Sequence, residues 1–338
     1  SLLYMISKKE PVAVIGGGSW ATAIVKMLTE NEHRVIWYMR NKEAIVHIET
    51  EFHNPNYLSA VSFNLNFLTL TDNIDTALSS AQTIVFAIPS AFLVTEMSKA
   101  TIDLTQKTIF SAIKGIVPET GLIVGEHFNI HFGVPLNKIG VITGPCHAEE
   151  VALERLSFLT IACSDLEIAS NMAQALNSSF IKTKISDDII GAEYAAVLKN
   201  IFAIAAGIAH GLGYGDNFQA VLMSNAIREM KRFIKRVHKM KRNINDTAYL
   251  GDLLVTGYSV FSRNRMFGNM IGKGYTVKSA TLEMNMVAEG YYATKSAFHI
   301  MNQMNRKSKT PIIQAVYDIL YNQKNPKKTF NALIEKLD

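Results

Sequence analysis

Strand-like and helix-like segments alternate through the first 187 residues of the chain, and the alternation then stops. Short apolar segments that end at glycine, proline or a charged residue are typical of buried parallel strands. They occur at residues 11–16, 33–39, 67–71, 83–88, 108–113 and 138–143, with weaker candidates at 157–163 and 180–184. Helical or mixed segments separate them, and this pattern predicts an open parallel sheet covered by helices.

Only helical periodicity follows. Helices are predicted at residues 188–211, 216–243, 290–304, 311–322 and 328–337. The stretch 250–277 is rich in Gly, Ser and Asn, and it predicts a long functional loop with short helical pieces. A chain of 338 residues is long for one compact core. We therefore predict an α/β domain over residues 1–187 and an all-α domain over residues 188–338.

The first predicted strand runs into a glycine-rich turn. Gly16-x-Gly18-x-x-Ala21 matches the fingerprint of dinucleotide-binding βαβ units, with alanine in the third place. Gly16 permits the tight turn, and Gly18 lets the backbone approach a pyrophosphate, while the helix that begins near Ser19 presents its positive end. Because the turn follows a strand and opens a helix, we expect a bound dinucleotide. The alternative is a purely structural glycine turn.

The end of the second predicted strand lacks the acidic residue that usually binds the ribose of NAD. The residues there are Trp-Tyr-Met-Arg-Asn at 37–41. Without a carboxylate nothing repels a 2′-phosphate, and Arg40 can pair with it. The sequence therefore favours NADP over NAD. Arg40 can also be a solvated residue, and Glu43 lies nearby, so either cofactor stays open.

The predicted helix at 188–211 is almost entirely apolar except for a cation in its middle, Lys199. The residues that share its face at helical spacing are Ala192, Ala195, Ala196, Phe202, Ala203 and Ala206. A lysine on such a face is costly unless an acid or a ligand meets it. Lys199 is therefore either half of a structural ion pair or a functional cation.

Composition excludes several classes of protein. Hydrophobic residues make up 48% of the chain, and its net charge of +5 suits a protein that binds anions but is too small to indicate nucleic acid. Cys146 and Cys163 form neither a disulfide framework nor a zinc motif, and the nine histidines show no metal spacing. We expect no membrane-spanning segment, since no apolar run reaches the length of a membrane span. Residues 1–5 lack the layout of a secretory signal, so we expect a cytoplasmic protein without a metal.

A basic amphipathic stretch occupies residues 231–242. It allows a weak peripheral contact with anionic lipid, or it is a solvated helix face that packs through Phe233, Ile234, Val237 and Met240. Polar clusters also occur at predicted chain reversals: Lys114, residues 144–150, residues 251–253 and residues 262–265. In an open α/β sheet, ligands bind outside the carboxyl ends of the strands. Each cluster taken alone is better explained as part of a surface loop.

Together these motifs resemble the bacterial-type NAD(P)-dependent glycerol-3-phosphate dehydrogenases. The matching segments span nearly the whole chain and are, in order, residues 16–20, 113–115, 144–145, 198–201, 207–217, 251–253, 262–268 and 287–290. The chain departs from the family pattern at Ala21, where glycine is usual, and at Cys146, where serine or threonine is usual. A thiol is a weaker hydrogen-bonding group than a hydroxyl.

The resemblance implies a Rossmann domain followed by an all-α domain like the C-terminal domain of 6-phosphogluconate dehydrogenase. It implies a homodimer that interconverts sn-glycerol 3-phosphate and dihydroxyacetone phosphate with NAD(P), and so supplies glycerol 3-phosphate for phospholipid synthesis. The implied catalytic residues are Lys199, as acid/base, with Lys114, Asp252 and Asn200 around it. The implied substrate contacts are Lys114, Gly144, Cys146, Lys199, Asp252, Ser262, Arg263 and Asn264. The implied cofactor contacts are Gly16, Gly18, Ser19, Trp20, Arg40, Lys114, Ala148, Arg263, Val287 and Glu289.

Two other functions remain open. One is a dehydrogenase of the same architecture that acts on a hydroxy acid, which would need a carboxylate contact in place of the phosphate contact. The other is an inactive NADP-binding sensor. The set Lys114, Lys199, Asp252 and Arg263 argues against the sensor, because binding alone needs no buried lysine.

Overall fold

The computed structural model describes residues 10–304 and 310–338, which form two compact units. The first unit comprises the chain up to Ile113 together with Leu122–Ile189, and the second comprises Lys114–Gly121 and Ile190–Asp338. The short segment 114–121 therefore belongs to the second unit although the residues on both sides of it belong to the first. Residues 1–5, which lack a signal-peptide pattern, lie outside the described residues.

An eight-stranded sheet forms the centre of the first unit. Its strands are β1 Val12–Ile15, β2 Val35–Tyr38, β3 Leu68–Thr71, β4 Thr83–Phe86, β5 Thr108–Ser111, β6 Ile139–Thr143, β7 Ser157–Cys163 and β8 Ile181–Ser186. They lie in the order β3-β2-β1-β4-β5-β6-β7-β8. The first six positions follow the order typical of dinucleotide-binding sheets. Each of the eight strands coincides with an apolar segment predicted from the sequence.

The prediction of a wholly parallel sheet is wrong at one place. β7 pairs antiparallel with β6, whereas β8 pairs parallel with β7. Between β6 and β7 the chain forms only the five-residue helix Ala148–Ala152. Such a helix is about 7.5 Å long, too short to carry the chain back along a strand, so the next strand runs in the opposite direction.

Seven helices of the first unit are α1 Ser19–Glu30, α2 Lys42–Glu51, α3 Ile74–Ser79, α4 Ser90–Met97, α5 Val124–Phe132, α6 Ala148–Ala152 and α7 Leu166–Leu176. The side chains of Asn41, Asn73 and Asp165 cap α2, α3 and α7 by accepting backbone N–H groups. Trp37 in β2 is fully buried, and its indole N–H donates to the carbonyl oxygen of Gly16. This bond ties the second strand to the glycine-rich turn.

Helices make up most of the second unit among its described residues. Its helices are α8 Ile189–Gly211, α9 Asp216–Val237, α10 Asp252–Tyr258, α11 Arg263–Gly272, α12 Val277–Met284, α13 Glu289–Gln303, α14 Pro311–Tyr321 and α15 Pro326–Ile334. The helix predicted to reach residue 243 ends at Val237, because His238 takes an extended conformation. The short helical pieces predicted within 250–277 are α10 and α11, and they occupy more of this segment than a long loop would allow.

α8 corrects a second expectation. By length and composition alone this helix could cross a membrane, so the expectation that no apolar run reaches that length is wrong. Of its most apolar stretch, 89% is buried inside the structure, as in the core helix of a soluble protein. The absence of polar residues along α8 is therefore explained by burial within the protein.

α8 and α11 pack backbone against backbone. A Cβ added at Gly207 would lie 2.1 Å from a carbonyl oxygen of α11, and one added at Gly268 would lie 2.1 Å from a carbonyl oxygen of α8. Gly211 and Gly272 make the same approach one turn further on, at 2.3 and 2.4 Å. Because no side chain fits between these segments, the main chain sets the position of α11 on α8.

A buried carboxylate joins α9 to α14. Glu229 is 1% exposed and accepts the backbone N–H groups of Ile312 at 3.0 Å and Ile313 at 2.9 Å. Burial raises the pKa of Glu229 to about 8, against the opposing effect of these two donors. Glu229 thus supplies the N-terminal cap that α14 does not obtain from its own first residues.

Candidate active site

A buried ion pair lies in the second unit. Lys199, in the middle of α8, is 4% exposed and donates through Nζ to Oδ2 of Asp252 at 2.6 Å. Asp252 is 2% exposed and is the first residue of α10. A π-helical segment, Thr247–Gly251, leads directly into it, and such segments are frequent at functional sites. The acid that a buried lysine requires is therefore present.

A second cation approaches the same carboxylate. Nζ of Lys114 lies 4.0 Å from Oδ2 of Asp252, and the Lys114 side chain is 21% exposed. The side chain of Asn200, next to Lys199 on α8, donates to the carbonyl oxygen of Lys114 at 2.6 Å. The structure thus brings together the four residues for which the resemblance implies catalytic roles.

The protonation of Lys199 is set by opposing influences. Desolvation by burial is the largest, and with the charge of Lys114 it lowers the pKa of Lys199 from 10.5 to about 7. The Asp252 carboxylate raises the pKa and only partly opposes this fall. Ammonium and amine are consequently both populated near neutral pH, which is the condition for general acid/base chemistry.

The start of α11 carries two of the residues implied in substrate binding. Ser262 is 4% exposed, and its Oγ accepts the backbone N–H of Arg265 at 3.2 Å as the helix cap. The hydroxyl hydrogen of Ser262 is not consumed by this bond and can still donate. Arg263 is exposed, and one of its guanidinium nitrogens lies 3.1 Å from the sulfur of Met286. A thioether is a weak acceptor, so this contact can be exchanged for an anion.

Asn264 connects α11 to the start of α13. It is 9% exposed, and its Oδ1 accepts the backbone N–H of Gly290 at 2.8 Å. A Cβ added at Gly290 would lie 2.7 Å from the carbonyl oxygen of Asn200 and 2.8 Å from Oδ1 of Asn264. Only glycine therefore lets α13 begin against both asparagines. Glu289 opens α13 and Val287 lies just before it, and both are half-buried.

The glycine-rich turn of the first unit has the shape that a dinucleotide needs. Gly16 has a φ of +130°, and a Cβ there would lie 2.2 Å from the carbonyl oxygen of Ala87. A Cβ on Gly18 would meet no atom within 4 Å, so this backbone faces open space. α1 then begins at Ser19 and Trp20 with no acidic residue in its first turn. An open backbone at the positive end of a helix fits a pyrophosphate.

A buried asparagine that the sequence motifs do not identify holds this turn. Asn54 is 1% exposed, and its Nδ2 donates to the carbonyl oxygen of Gly17 at 3.2 Å and to Oγ1 of Thr22 at 3.0 Å. Its Oδ1 accepts the backbone N–H groups of Asn56 at 2.9 Å and Tyr57 at 3.3 Å. The proline after it signals a turn, but no sequence pattern predicts the contact with residues more than thirty positions earlier.

Arg40 lies beyond the end of β2 and is exposed. Its guanidinium carbon is 5.4 Å from the centroid of the Phe92 ring, which orients the side chain by a cation–π contact. Glu43 lies in the first turn of α2, capped by Asn41. The strand end therefore presents a cation and no carboxylate of its own.

The turn after β6 holds the remaining three residues of the sequence prediction. Gly144 has a φ of +118°, and a Cβ there would lie 2.7 Å from the carbonyl oxygen of Phe158, so the sheet itself requires glycine. Cys146 is 4% exposed and belongs to the hydrophobic core of this unit. Ala148 is the first residue of α6. Ligand contacts by these three residues stay predictions.

Two family models match the chain. The model for the N-terminus of NAD-dependent glycerol-3-phosphate dehydrogenase matches residues 11–169, and the model for its C-terminus matches residues 188–331. The chain belongs to this family. The membership predicted from the motifs is therefore confirmed.

Individual relatives cover nearly the full length of the chain. A glycerol-3-phosphate dehydrogenase (NAD(P)+) from an Exiguobacterium species is 35% identical over 330 residues, which are 96% of this chain and 95% of the relative. One from Limosilactobacillus reuteri is 34% identical over 97% of both chains. The crystal structure of glycerol-3-phosphate dehydrogenase from Coxiella burnetii, 27% identical, superimposes with a TM-score of 0.88 over 97% of this chain and 99% of the other.

Proposed function

We propose that this chain is an enzyme that interconverts sn-glycerol 3-phosphate and dihydroxyacetone phosphate with NAD or NADP. The observation that carries the proposal is the buried Lys199, whose pKa is lowered to about 7 beside Asp252 and Lys114. Burying a lysine costs stability, and a protein that only bound nucleotide would gain nothing from it. Membership of the dehydrogenase family in both halves of the chain supports the same reaction.

Lys199 acts as the acid and the base of the reaction. Bound NADPH or NADH supplies the hydride that reduces the carbonyl carbon of the substrate. Negative charge then develops on the carbonyl oxygen, where the Lys199 ammonium stabilises it and donates a proton. In the oxidation direction the neutral amine accepts the hydroxyl proton. Asp252 orients the ammonium, Lys114 lowers its pKa, and Asn200 holds the main chain of Lys114.

The start of α11 binds the phosphate of the substrate. The exposed guanidinium of Arg263 offers a planar pair of donors to phosphate oxygens. The NH₂ group of Asn264 and the hydroxyl of Ser262 are further donors, since the bonds to Gly290 and Arg265 use only their oxygens as acceptors. A phosphate held here places the carbonyl for reaction. Gly144 and Cys146 are proposed to line the same substrate site.

The first unit binds the cofactor. The turn from Gly16 through Trp20 holds the pyrophosphate, and Arg40 pairs with the 2′-phosphate, which favours NADP. The further proposed cofactor contacts are Lys114, Ala148, Arg263, Val287 and Glu289. We thus assign cofactor binding to a domain of residues 1–187 and catalysis to a domain of residues 188–338.

One assay tests both the reaction and the cofactor preference. Purified protein should oxidise NADPH, and NADH more slowly, when dihydroxyacetone phosphate is added, and 2-oxo acids should give no reaction. Arg40→Ala should lower kcat/KM with NADPH and leave that with NADH nearly unchanged. Equal losses with both cofactors would exclude a 2′-phosphate contact, and a reaction with 2-oxo acids alone would overturn the substrate assignment.

The product would enter phospholipid synthesis, and we propose that the protein is cytoplasmic and a homodimer. Equilibrium sedimentation tests the dimer. In α9, Lys231 and Lys235 are exposed, whereas Phe233 and Ile234 are fully buried. A peripheral membrane contact of this helix would therefore be purely electrostatic. Flotation with anionic vesicles should then occur at low salt only, and no flotation at low salt would leave a solvated helix face.

A further inference from the structure

Four half-buried aromatic side chains form a row of stacked rings between α13 and α14. Tyr291 on α13 stacks on Tyr321 of α14, with ring centroids 4.7 Å apart and an interplanar angle of 21°. Tyr321 stacks in turn on Tyr317 at 5.2 Å, and Tyr317 stacks on Phe298 of α13 at 3.6 Å. Because this aromatic row begins and ends on α13 and passes through α14, it fixes where one helix lies along the other.

One member of the aromatic row also binds the main chain of its neighbour. The hydroxyl of Tyr321 donates to the carbonyl oxygen of Tyr291 at 2.5 Å. A carbonyl oxygen has two lone pairs, so this bond is compatible with the helical bond of the same carbonyl. Burial above all, and the neighbouring tyrosines, raise the pKa of Tyr321, so its hydroxyl remains a donor well above neutral pH. Tyr291 is the third residue of α13, and the bond therefore holds the first turn of that helix.

The first turn of α13 sets the orientation of a side chain on α11. The N–H of Gly290, the residue before Tyr291, donates to Oδ1 of Asn264 at 2.8 Å. An amide side chain can present either its oxygen or its NH₂ group on a given side, and an N–H donor selects the orientation with the oxygen toward α13. The NH₂ group of Asn264 is then the part left for a ligand. In the reverse orientation Asn264 would turn an oxygen toward an anion.

A second contact joins the same turn to α11. The ring of Tyr291 meets the fully buried ring of Phe267 edge-on, with centroids 6.4 Å apart and an interplanar angle of 78°. Phe267 follows Asn264 by about one helical turn, so both contacts fall near the start of α11. Tyr291 therefore lies between Tyr321 and Phe267, and a displacement of Tyr321 would be passed to the segment that carries Asn264.

We propose that Tyr321 is a positioning residue for the phosphate-binding segment at the start of α11. It acts through Tyr291 and Gly290, which keep the NH₂ group of Asn264 turned toward a phosphate oxygen. Without the Tyr321 hydroxyl, the first turn of α13 is held less firmly, and the amide of Asn264 loses its fixed orientation. This inference rests on the proposed function, in which Asn264 binds the phosphate of the substrate.

Steady-state kinetics of Tyr321→Phe test the inference, because phenylalanine keeps the stacked ring and removes only the hydroxyl. The KM for dihydroxyacetone phosphate should rise about three- to tenfold, the effect of one neutral hydrogen bond. The kcat and the KM for NADPH should stay as in the wild type. A KM for dihydroxyacetone phosphate equal to that of the wild type, or a fall in kcat alone, would overturn the proposal.

The matched control is Tyr317→Phe. It removes a hydroxyl from the same aromatic row, and in the part of the chain that the structure describes this hydroxyl makes no hydrogen bond to α13. Its KM for dihydroxyacetone phosphate should equal that of the wild type. Equal rises in KM for Tyr317→Phe and Tyr321→Phe would show a general loosening of the helices and would overturn the proposal.

A double-mutant cycle with Asn264→Ala separates positioning from a structural role. In the Asn264→Ala protein the amide is absent, so adding Tyr321→Phe should raise the KM no further. A further rise as large as in the wild-type background would overturn the positioning role alone. A wild type inactive toward dihydroxyacetone phosphate, or an Asn264→Ala KM equal to that of the wild type, would overturn the proposed function and this inference together.

Discussion

Replacing Asp252 by Asn should shift the pH dependence of the reaction to lower pH. The substitution keeps the size of the side chain but removes the charge that opposes the fall in the pKa of Lys199. Lys114 and Lys199 then share an uncharged amide in place of a carboxylate. The Lys199 ammonium loses stabilisation, so its pKa should fall below the wild-type value of about 7.

The size of the shift follows from the contact distance. Asp252 Oδ2 lies 2.6 Å from Nζ of Lys199, and an opposite charge at such range changes a pKa by about 1–3 units. The variant pKa should therefore lie at about 4–6. At pH 7 a lysine with a pKa of about 5 is about 1% protonated, against about half in the wild type, so reduction should slow about 50-fold.

The assay is the initial rate of NADPH oxidation at saturating dihydroxyacetone phosphate, measured from about pH 5 to about pH 9. Reduction needs the ammonium, so the wild-type rate should fall as pH rises through about 7, and the Asp252→Asn rate should fall at lower pH. The control of opposite sign is Lys114→Met, which removes a cation and should move the midpoint to higher pH. Midpoints, not maximal rates, are compared, because Lys114 is also proposed to bind ligands.

Two results would refute this reasoning. An Asp252→Asn midpoint equal to that of the wild type would show that the carboxylate does not set the protonation of Lys199. Shifts of the two variants in the same direction would show that the midpoint reports another group. Thermal unfolding of both variants establishes beforehand that each is folded.

Four further outcomes are expected. Lys199→Met should bind NADPH with unchanged affinity by fluorescence titration but lose about 10²–10⁴-fold in kcat; nearly full turnover would remove Lys199 from the mechanism. Arg263→Ala should raise the KM for dihydroxyacetone phosphate about tenfold or more, and an unchanged KM would contradict a phosphate contact. The pKa of Glu229 is raised from 4.5 in the unfolded chain to about 8 in the folded protein. Between these pH values the folded state therefore binds one more proton than the unfolded state. The contribution of Glu229 to the free energy of unfolding is full below about pH 4.5 and is lost as pH rises through about 8. Urea denaturation of wild type and Glu229→Gln across this range should show that decline, and a difference independent of pH would exclude it. Gly268→Ala should cost about 1–3 kcal/mol. Gly215→Ala, whose Cβ meets no atom within 4 Å, should lose only the N-cap glycine of α9 and cost about 0.5–1 kcal/mol. Equal melting temperatures would contradict the close packing of α8 and α11.

Much of the first unit could be predicted from the sequence because buried parallel strands are short and apolar throughout. β4, for example, is followed within three residues by Pro89, which marks its end. The reversed direction of β7 could not be predicted, because pairing direction depends on how far the preceding connection travels, and apolar content does not encode it. The extent of the helices within 250–277 could not be predicted, because Gly268, which reads as a loop residue in the sequence, packs α11 against α8.

The candidate site also has a part that the sequence predicts and a part that it does not. The burial of Lys199 follows from the apolar residues that surround it at helical spacing, so its need for a partner is local information. The partner, Asp252, lies 53 positions further along the chain, and only the resemblance to a known family pointed to it. The role of Asn54 depends on the position of a loop in the folded chain, which no sequence periodicity predicts.

The direct contact between α8 and α11 has a consequence for substrate choice. Lys199 lies on α8 and Asn264 lies on α11. The spacing of these helices is set by contacts between their main-chain atoms, which cannot adjust by changing a side-chain rotamer. In the proposed mechanism Lys199 donates the proton and Asn264 binds the phosphate, so the distance between these two functions is fixed by the packing of the helices. A phosphate ester one carbon longer would have to adopt a bent conformation to contact both residues. The glycines at 207 and 268 would thus make the enzyme select substrates by chain length.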